Sequence, residues 1–366
     1  AAVARSSMLT WHSSFAALTG YSGSSLRYVL GLDALGIPVR PLYLYGTDYD
    51  EQVQAGGMHP RIRELQAGPL RLDAPQVVYA PGDRFSKNSG RYRIGFTMLE
   101  TDRLPASWVE QANQMDELWT PSAWGAEVFR ASGVRPPVHV VPLGVDAARF
   151  RPADAPRERL RDRTIFLSVF EWGERKGWDV LLRAWRAAFA PDDPVLLLLK
   201  IDCRMPLPNP VHDLSAALAG PHAPIGLIYN QPLSGAQLLE LYQGCDCFVL
   251  PSRGEGWGMP ILEAMACGVP AIATDWSAPT TFLNAQNGYP LPIRGLAPTG
   301  STALHYRDAQ WAVPDEDALV ELLRRAARNP DERRALGRAA REEAERWPWG
   351  RGVGVVAERV RALATP

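Results

Sequence analysis

Short apolar runs of strand length alternate along this chain with stretches whose apolar residues recur every three or four positions, and the alternation starts twice. In the first half, Val39–Tyr45, Val77–Ala80, Arg93–Thr97, Glu117–Thr120 and Val138–Val141 read as strands. Helices are expected between them at Ser24–Leu35, Ala106–Met115 and Ala123–Ala131. A polar, Arg- and Pro-rich stretch, Arg151 to Arg163, reads as a linker. The pattern resumes with a strand at Thr164–Val169 and a helix at Val180–Phe189, whose apolar face is Leu181, Ala184, Trp185 and Ala188. Strands at Val195–Ile201, Ile225–Tyr229, Cys247–Leu250 and Ala271–Thr274 continue it. Ser234 and Gln237 have the spacing of a capping box that opens a helix at Gly235–Tyr242. Charged helices are expected at Glu316–Arg328 and Asp331–Arg346, and a last helix after Trp347-Pro348-Trp349.

Such alternation is the mark of parallel sheets with helices on both faces, so the expected fold class is α/β, with two doubly wound domains in tandem. Ligands of these sheets bind beyond the carboxyl ends of the strands, so Gly-rich strand exits should face a central cleft. Two turns qualify: Gly254–Gly258, and Gly20-Tyr21-Ser22-Gly23-Ser24-Ser25. The rhythm breaks over Tyr289–Trp311, where Pro290, Pro292, Gly295, Pro298 and Gly300 predict a long loop of the functional or mobile kind.

Composition narrows the class. The 366 residues exceed one ordinary core, and two domains of roughly 150–200 residues are the natural division. A hydrophobic content of 46% and a net charge of −1 describe a soluble protein whose main partner is not nucleic acid. The longest strongly apolar run, Val195 to Leu199, is far too short to span a bilayer, and Ala1–Leu9 carries no secretory pattern. Cys203, Cys245, Cys247 and Cys267 read as thiols, the second and third buried, and suit a reducing, cytoplasmic setting. Arg84, Lys87, Arg91 and Arg93 place four cations within ten residues. That patch would suit weak peripheral contact with an anionic membrane or an acidic acceptor, and a solvated loop is the plainer account.

The most informative stretch runs from Ser252 to Glu263, Ser-Arg-Gly-Glu-Gly-Trp-Gly-Met-Pro-Ile-Leu-Glu. It joins a strand to a helix expected to begin near Pro260 and to stop at Gly268. Three glycines in five residues admit a ligand close to the backbone, and a helix start attracts anions. Glu255 on the loop and Glu263 about one turn into the helix could read hydroxyls on either side of a phosphate-bearing ligand. Lys176 is one of only three lysines and lies in an Arg175-Lys176-Gly177 step before a helix.

These residues resemble the retaining GT-B-fold glycosyltransferases of family 4, also called glycosyl transferases group 1. The resemblance is carried by Glu255 to Glu263 followed by Ala264-Met265-Ala266-Cys267-Gly268-Val269-Pro270, and more weakly by Pro121-Ser122, Val140–Asp146 and Arg175–Gly177. It implies two Rossmann-like domains: residues 1–160 for the acceptor, residues 161–346 for a nucleoside-diphosphate sugar, and residues 347–366 as a closing helix packed back on the first. In that reading Glu263 grips ribose hydroxyls and Glu255 those of the donor sugar. Gly254, Gly256, Trp257, Gly258 and Met259 border the sugar or phosphates, and Asn230 to Leu233 flank the base. Lys176 and Arg175 bind the diphosphate, and no metal or other cofactor is needed. On the acceptor side stand Gly20, Gly23, Ser24, His12 and the candidate base Glu100. The arginine that the family carries shortly before its lysine is replaced here by Phe170-Glu171.

Three rival readings deserve statement. Gly254-x-Gly256-x-Gly258 with Asp275 imitates a dinucleotide fingerprint and would suit an NAD-dependent oxidoreductase, although Pro260 stands near the place of the third glycine. Asp48-Tyr49-Asp50 has the form of a metal-diphosphate clamp of another glycosyltransferase fold, and also of an ordinary turn. A non-catalytic protein that binds sugar nucleotides is the third.

Overall fold

In the computed structural model, the described residues are 8–15, 19–46, 58–71, 73–154, 162–203, 210–300 and 305–364. Asp48-Tyr49-Asp50 and part of the Arg151–Arg163 stretch lie outside them. The chain divides into two units: Ala1–Gly144 with Gly300–Ala309 and Trp347–Pro366, and Val145–Thr299 with Gln310–Arg346.

Unit 1 runs β1 (Leu9–Ser13), α1 (Gly20–Ala34), β2 (Val39–Tyr43), α2 (Pro60–Gln66), β3 (Gln76–Tyr79), β4 (Arg93–Phe96), α3 (Ala106–Ala112), β5 (Glu117–Thr120), α4 (Ala123–Ala131) and β6 (Val138–Val140). Its six strands are parallel in the order β2-β1-β3-β4-β5-β6. The core beside β1 is aromatic: Trp11 stacks on Tyr28 at 5.2 Å, and Tyr79 on Phe96 at 4.2 Å. Such pairs contribute about 0.5–1.5 kcal/mol each beyond their buried area.

Two expectations change in this unit. Residues 9–13, where the sequence pattern marks no strand, form a central strand on which Ser13 Oγ donates to the Tyr79 carbonyl at 2.6 Å. The Gly20–Ser25 segment, expected as a turn, is the opening of α1. Thr19 caps it by accepting from the Ser22 N–H at 3.2 Å, and Ser22, Ser24 and Ser25 face the core. Serines on the buried face concealed the apolar period there.

Unit 2 runs β7 (Thr164–Glu171), α5 (Trp178–Ala188), β8 (Val195–Asp202), α6 (Pro210–Ala217), β9 (Ile225–Tyr229), α7 (Gly235–Gly244), β10 (Cys247–Leu250), α8 (Met259–Ala266), β11 (Ala271–Thr274), β12 (Tyr289–Leu291), β13 (Ile293–Pro298), β14 (Gln310–Pro314), α9 (Glu316–Arg328) and α10 (Pro330–Ala344). The parallel sheet has the order β12-β11-β10-β7-β8-β9. Counted from β7 this is 3-2-1-4-5-6 reversed, the Rossmann order. Both halves of the Ser234–Gln237 capping box form. The stretch expected as one long loop instead supplies edge strand β12 and the antiparallel pair β13–β14, with an irregularity between Ile293 and Leu296. The last helix, α11 (Trp349–Ala364), belongs to unit 1, where Arg359 pairs with the buried Glu117. No described helix is long and apolar enough to cross a membrane.

Candidate active site

In the second sheet, strand order reverses between β7 and β10, so the two chain segments leaving those strands diverge and open a crevice at their carboxyl ends. The β7 exit carries Arg175 and Lys176, and the β10 exit carries Gly254 to Gly258. The β7 exit is held at its ends by Trp172 and Trp178, whose rings stack at 4.4 Å. Gly177 closes it with φ +67°, and a Cβ there would stand 2.0 Å from the Pro251 carbonyl oxygen. Only glycine fits that position, for both reasons.

Glu255 is where the two segments meet. Lys176 Nζ donates to its Oε1 at 2.6 Å, and Arg175 Nη1 lies 3.4 Å from its Oε2. The carboxylate is 7% exposed, against 13% for the lysine side chain and 20% for Arg175. Burial alone would raise the Glu255 pKa, but the charges of Lys176 and Arg175 outweigh it and hold the acid below its ordinary range. Its backbone N–H donates to Ser277 Oγ at 3.0 Å, and Arg175 Nη1 donates to the Gly254 carbonyl at 2.6 Å. An ionised acid thus sits beside two cations at the switch point. Phe170, where the family has arginine, is a buried core residue and Glu171 is exposed, so Arg175 is the second cation of this loop.

The other residues singled out in this unit spread along the same rim. Gly254, Gly256 and Gly258 lie in a buried loop, and Gly258 caps α8 with φ +94°, Met259 and Pro260 following as its first residues. Trp257 is buried and its ring packs against Phe282 at 5.4 Å, a space-filling placement. Glu263 accepts from the Tyr242 hydroxyl at 2.9 Å, one turn away from the loop. Asn230 leaves β9 with φ +46°, its Oδ1 accepting from the Cys203 N–H at 2.6 Å, and Leu233 is half-buried just before α7.

Unit 1 has its own switch point, between β1 and β3. A cleft of about 220 Å³ opens there, lined by residues leaving β1, β2 and β3, among them Ser14, Thr19, Tyr21, Tyr45 and Tyr79. Gly20 and Gly23 are exposed on the first turn of α1 beside it. The Ser24 hydroxyl turns inward to Gly20 O and to the Tyr79 hydroxyl at 2.8 Å. Tyr21 OH pairs with Thr97 Oγ1 at 3.0 Å, and burial pushes its pKa up. His12 is half-buried on β1 within 3.3 Å of Gln76 Nε2, and burial lowers its pKa so that it is neutral at pH 7. Glu100 accepts from the Tyr306 hydroxyl at 3.4 Å. Of the cationic patch, Arg84 lies over the Tyr45 ring and Lys87 Nζ donates to Leu44 O at 3.0 Å, beside the cleft.

Three residues of these surroundings carry little signature in the chain itself. Tyr242 reads as part of an apolar helix face, Tyr79 as an ordinary strand residue, and Arg253 as a loop charge. Cys245, Cys247 and Cys267 are buried free thiols, and Cys203 is half-buried. Among the described residues no group of three His, Cys, Asp or Glu side chains is placed to hold a metal ion.

Residues 161–303 match the family model described as glycosyl transferases group 1. Over 252 residues the chain is 29% identical to D-inositol 3-phosphate glycosyltransferase of Acidothermus cellulolyticus, covering 65% of this chain and 51% of that protein. Over 303 residues it is 28% identical to a GDP-mannose-dependent monoacylated alpha-(1-6)-phosphatidylinositol monomannoside mannosyltransferase of Corynebacterium glutamicum, covering 77% and 71%. The match therefore spans about half the length of the first relative (51%). Among solved structures, sucrose-phosphate synthase from Thermosynechococcus elongatus superposes with TM-score 0.72 at 16% identity, over 97% of this chain and 98% of that one. Anabaena HepE in complex with UDP and glucose does so with TM-score 0.69 at 13% identity, over 97% and 99%.

The fold is that of the GT-B glycosyltransferases. In sequence, residues 161–303 are similar to the glycosyl transferases group 1, as the two named relatives also indicate.

Proposed function

We propose that this chain is a retaining glycosyltransferase that moves a hexose from a nucleoside-diphosphate sugar to an acceptor hydroxyl without a metal ion. The observation that carries this reading is the convergence of Lys176 and Arg175 on Glu255 at the switch point of the second sheet, next to a glycine loop that opens a helix. Transfer breaks the bond between the anomeric carbon and a phosphate oxygen, and joins that carbon to the acceptor oxygen. Charge builds on the departing diphosphate, where cations already positioned need no reorganisation to stabilise it. Lys176 and Arg175 take that role. Glu255, ionised and hydrogen-bonded, reads the sugar hydroxyls, and Glu263 with Tyr242 reads the ribose. Asn230 and Leu233 border the base. With no side chain assigned as a covalent nucleophile, same-face attack through an ion-pair-like state accounts for retention.

Unit 1 takes the acceptor in this reading. The hydroxyls and tyrosine rings of its cleft suit a hydroxyl-rich molecule, Glu100 is the candidate base for the acceptor proton, and Arg84 with Lys87 would meet an acidic group on the acceptor or a membrane. The named relatives, which act on an inositol phosphate and on a phosphatidylinositol mannoside, support the class of reaction. A reducing, cytoplasmic setting belongs to the same proposal and rests on the buried thiols Cys245, Cys247 and Cys267.

The test is a thermal-shift panel of UDP-, GDP-, ADP- and dTDP-sugars and NAD, followed by release of nucleoside diphosphate with and without EDTA. One sugar nucleotide should raise Tm and be consumed at the same rate in EDTA. Saturable binding of NAD alone would overturn the reading, and tight donor binding without turnover would leave a binding protein.

A further inference from the structure

Arg253 stands between β10 and the glycine loop, and its side chain is only 14% exposed. It touches three separate pieces of unit 2. Its guanidinium forks onto Asp179 in the first turn of α5, Nη1 to Oδ1 at 2.9 Å and Nη2 to Oδ2 at 2.8 Å. The same Nη1 donates to the Glu174 carbonyl. Its backbone N–H donates to the Arg175 carbonyl at 2.6 Å, and its own carbonyl accepts from the Ala312 N–H of β14 at 2.9 Å. Asp179 is in turn held by Arg183, 3.2 Å away, which pairs with Glu316 at 2.9 Å.

These bonds share one consequence. Glu174, Arg175 and Lys176 form a single short turn, and Arg253 fastens that turn to the loop that carries Glu255. The fork's own partners are Asp179 and the Glu174 carbonyl. A planar guanidinium can satisfy two carboxylate oxygens and a carbonyl together, whereas an ammonium cannot keep that geometry.

We infer that Arg253 is a positioning residue, which sets the place of Lys176 and Arg175 through the Glu174–Lys176 turn and Asp179 and so governs turnover rather than donor affinity. This rests on the proposed transferase reading. A cation displaced by about 1 Å from a developing charge loses on the order of 100-fold in rate.

Steady-state kinetics on the full chain test this with Arg253→Lys, Asp179→Asn and the double variant, each checked for folding by its melting curve. The expected result is a kcat about 100-fold lower for Arg253→Lys, with the donor KM within about threefold. Asp179→Asn should shift kcat in the same direction. The double variant should be no slower than the worse single one, since both break one fork. If Arg253→Lys does not fold, Asp179→Asn alone carries the test. Wild-type kcat in either folded variant, or a loss confined to KM, overturns the inference. A wild-type chain that consumes no sugar nucleotide instead sinks the transferase reading, which separates the two failures.

Discussion

Lys176 Nζ donates to Glu255 Oε1 at 2.6 Å across 79 residues of sequence, and both side chains are largely shielded from water. The two belong to the strand exits that a Rossmann order separates at its switch point, so topology brings them together.

Removing one member of that pair should be costly. Glu255→Gln leaves two cations crowded without their counter-charge, and about 3 kcal/mol of stability should be lost, the low end for a broken buried pair. Denaturant unfolding at pH 7 measures this. Turnover should fall together with stability in this variant.

The pH dependence has a definite sign. Glu255 has its folded pKa depressed below the ordinary carboxylate value, net of a burial effect that works the other way. Its contribution to stability is therefore complete above the unfolded-state pKa, near 4.3. It is lost as pH falls through the lower folded value. Chemical unfolding between about pH 6 and pH 3 should show a decline that is shallower in Glu255→Gln.

The division of labour between the two ends of the loop can be separated kinetically. Lys176→Ala should lower kcat by about 10²–10³, as for a lost electrostatic stabiliser, with little change in donor affinity. Glu263→Ala should weaken donor binding about tenfold, the loss of one charge-assisted hydrogen bond, and leave kcat nearly unchanged. Calorimetric titration with the donor, alongside kinetics, checks both. Equal effects on both quantities in both variants would contradict the assignment.

Gly177 offers a purely steric test. Gly177→Ala forces a Cβ against the Pro251 carbonyl in a left-handed backbone, so the Lys176 turn must move. A lower Tm and reduced turnover should appear together, measured by thermal melting and the transfer assay.

Much of this was legible in the chain itself. The strands Cys247–Leu250 and Ala271–Thr274 occur where the apolar runs predict them, because interior parallel strands are buried on both faces and select apolar residues. The capping box at Ser234 and the Pro260 helix start are local hydrogen-bond and φ preferences, so they too can be read from a few residues. What could not be read depended on distant partners. Thr10 and Ser13 look like surface residues, yet β1 is central, and Ser13 spends its polarity on the Tyr79 carbonyl. Arg253 shows no sign in sequence of a bidentate partner 74 residues away. The β13–β14 pair escaped notice because Pro292, Gly295 and Pro298 interrupt its alternation.

The most direct measurement is a crystal structure of the chain with the sugar nucleotide that the binding panel selects. The account predicts diphosphate oxygens within hydrogen-bond distance of Lys176 Nζ and Arg175, sugar hydroxyls on Glu255 and the ribose on Glu263. A donor bound elsewhere, with the Lys176–Glu255 pair untouched and the glycine loop unoccupied, would contradict it.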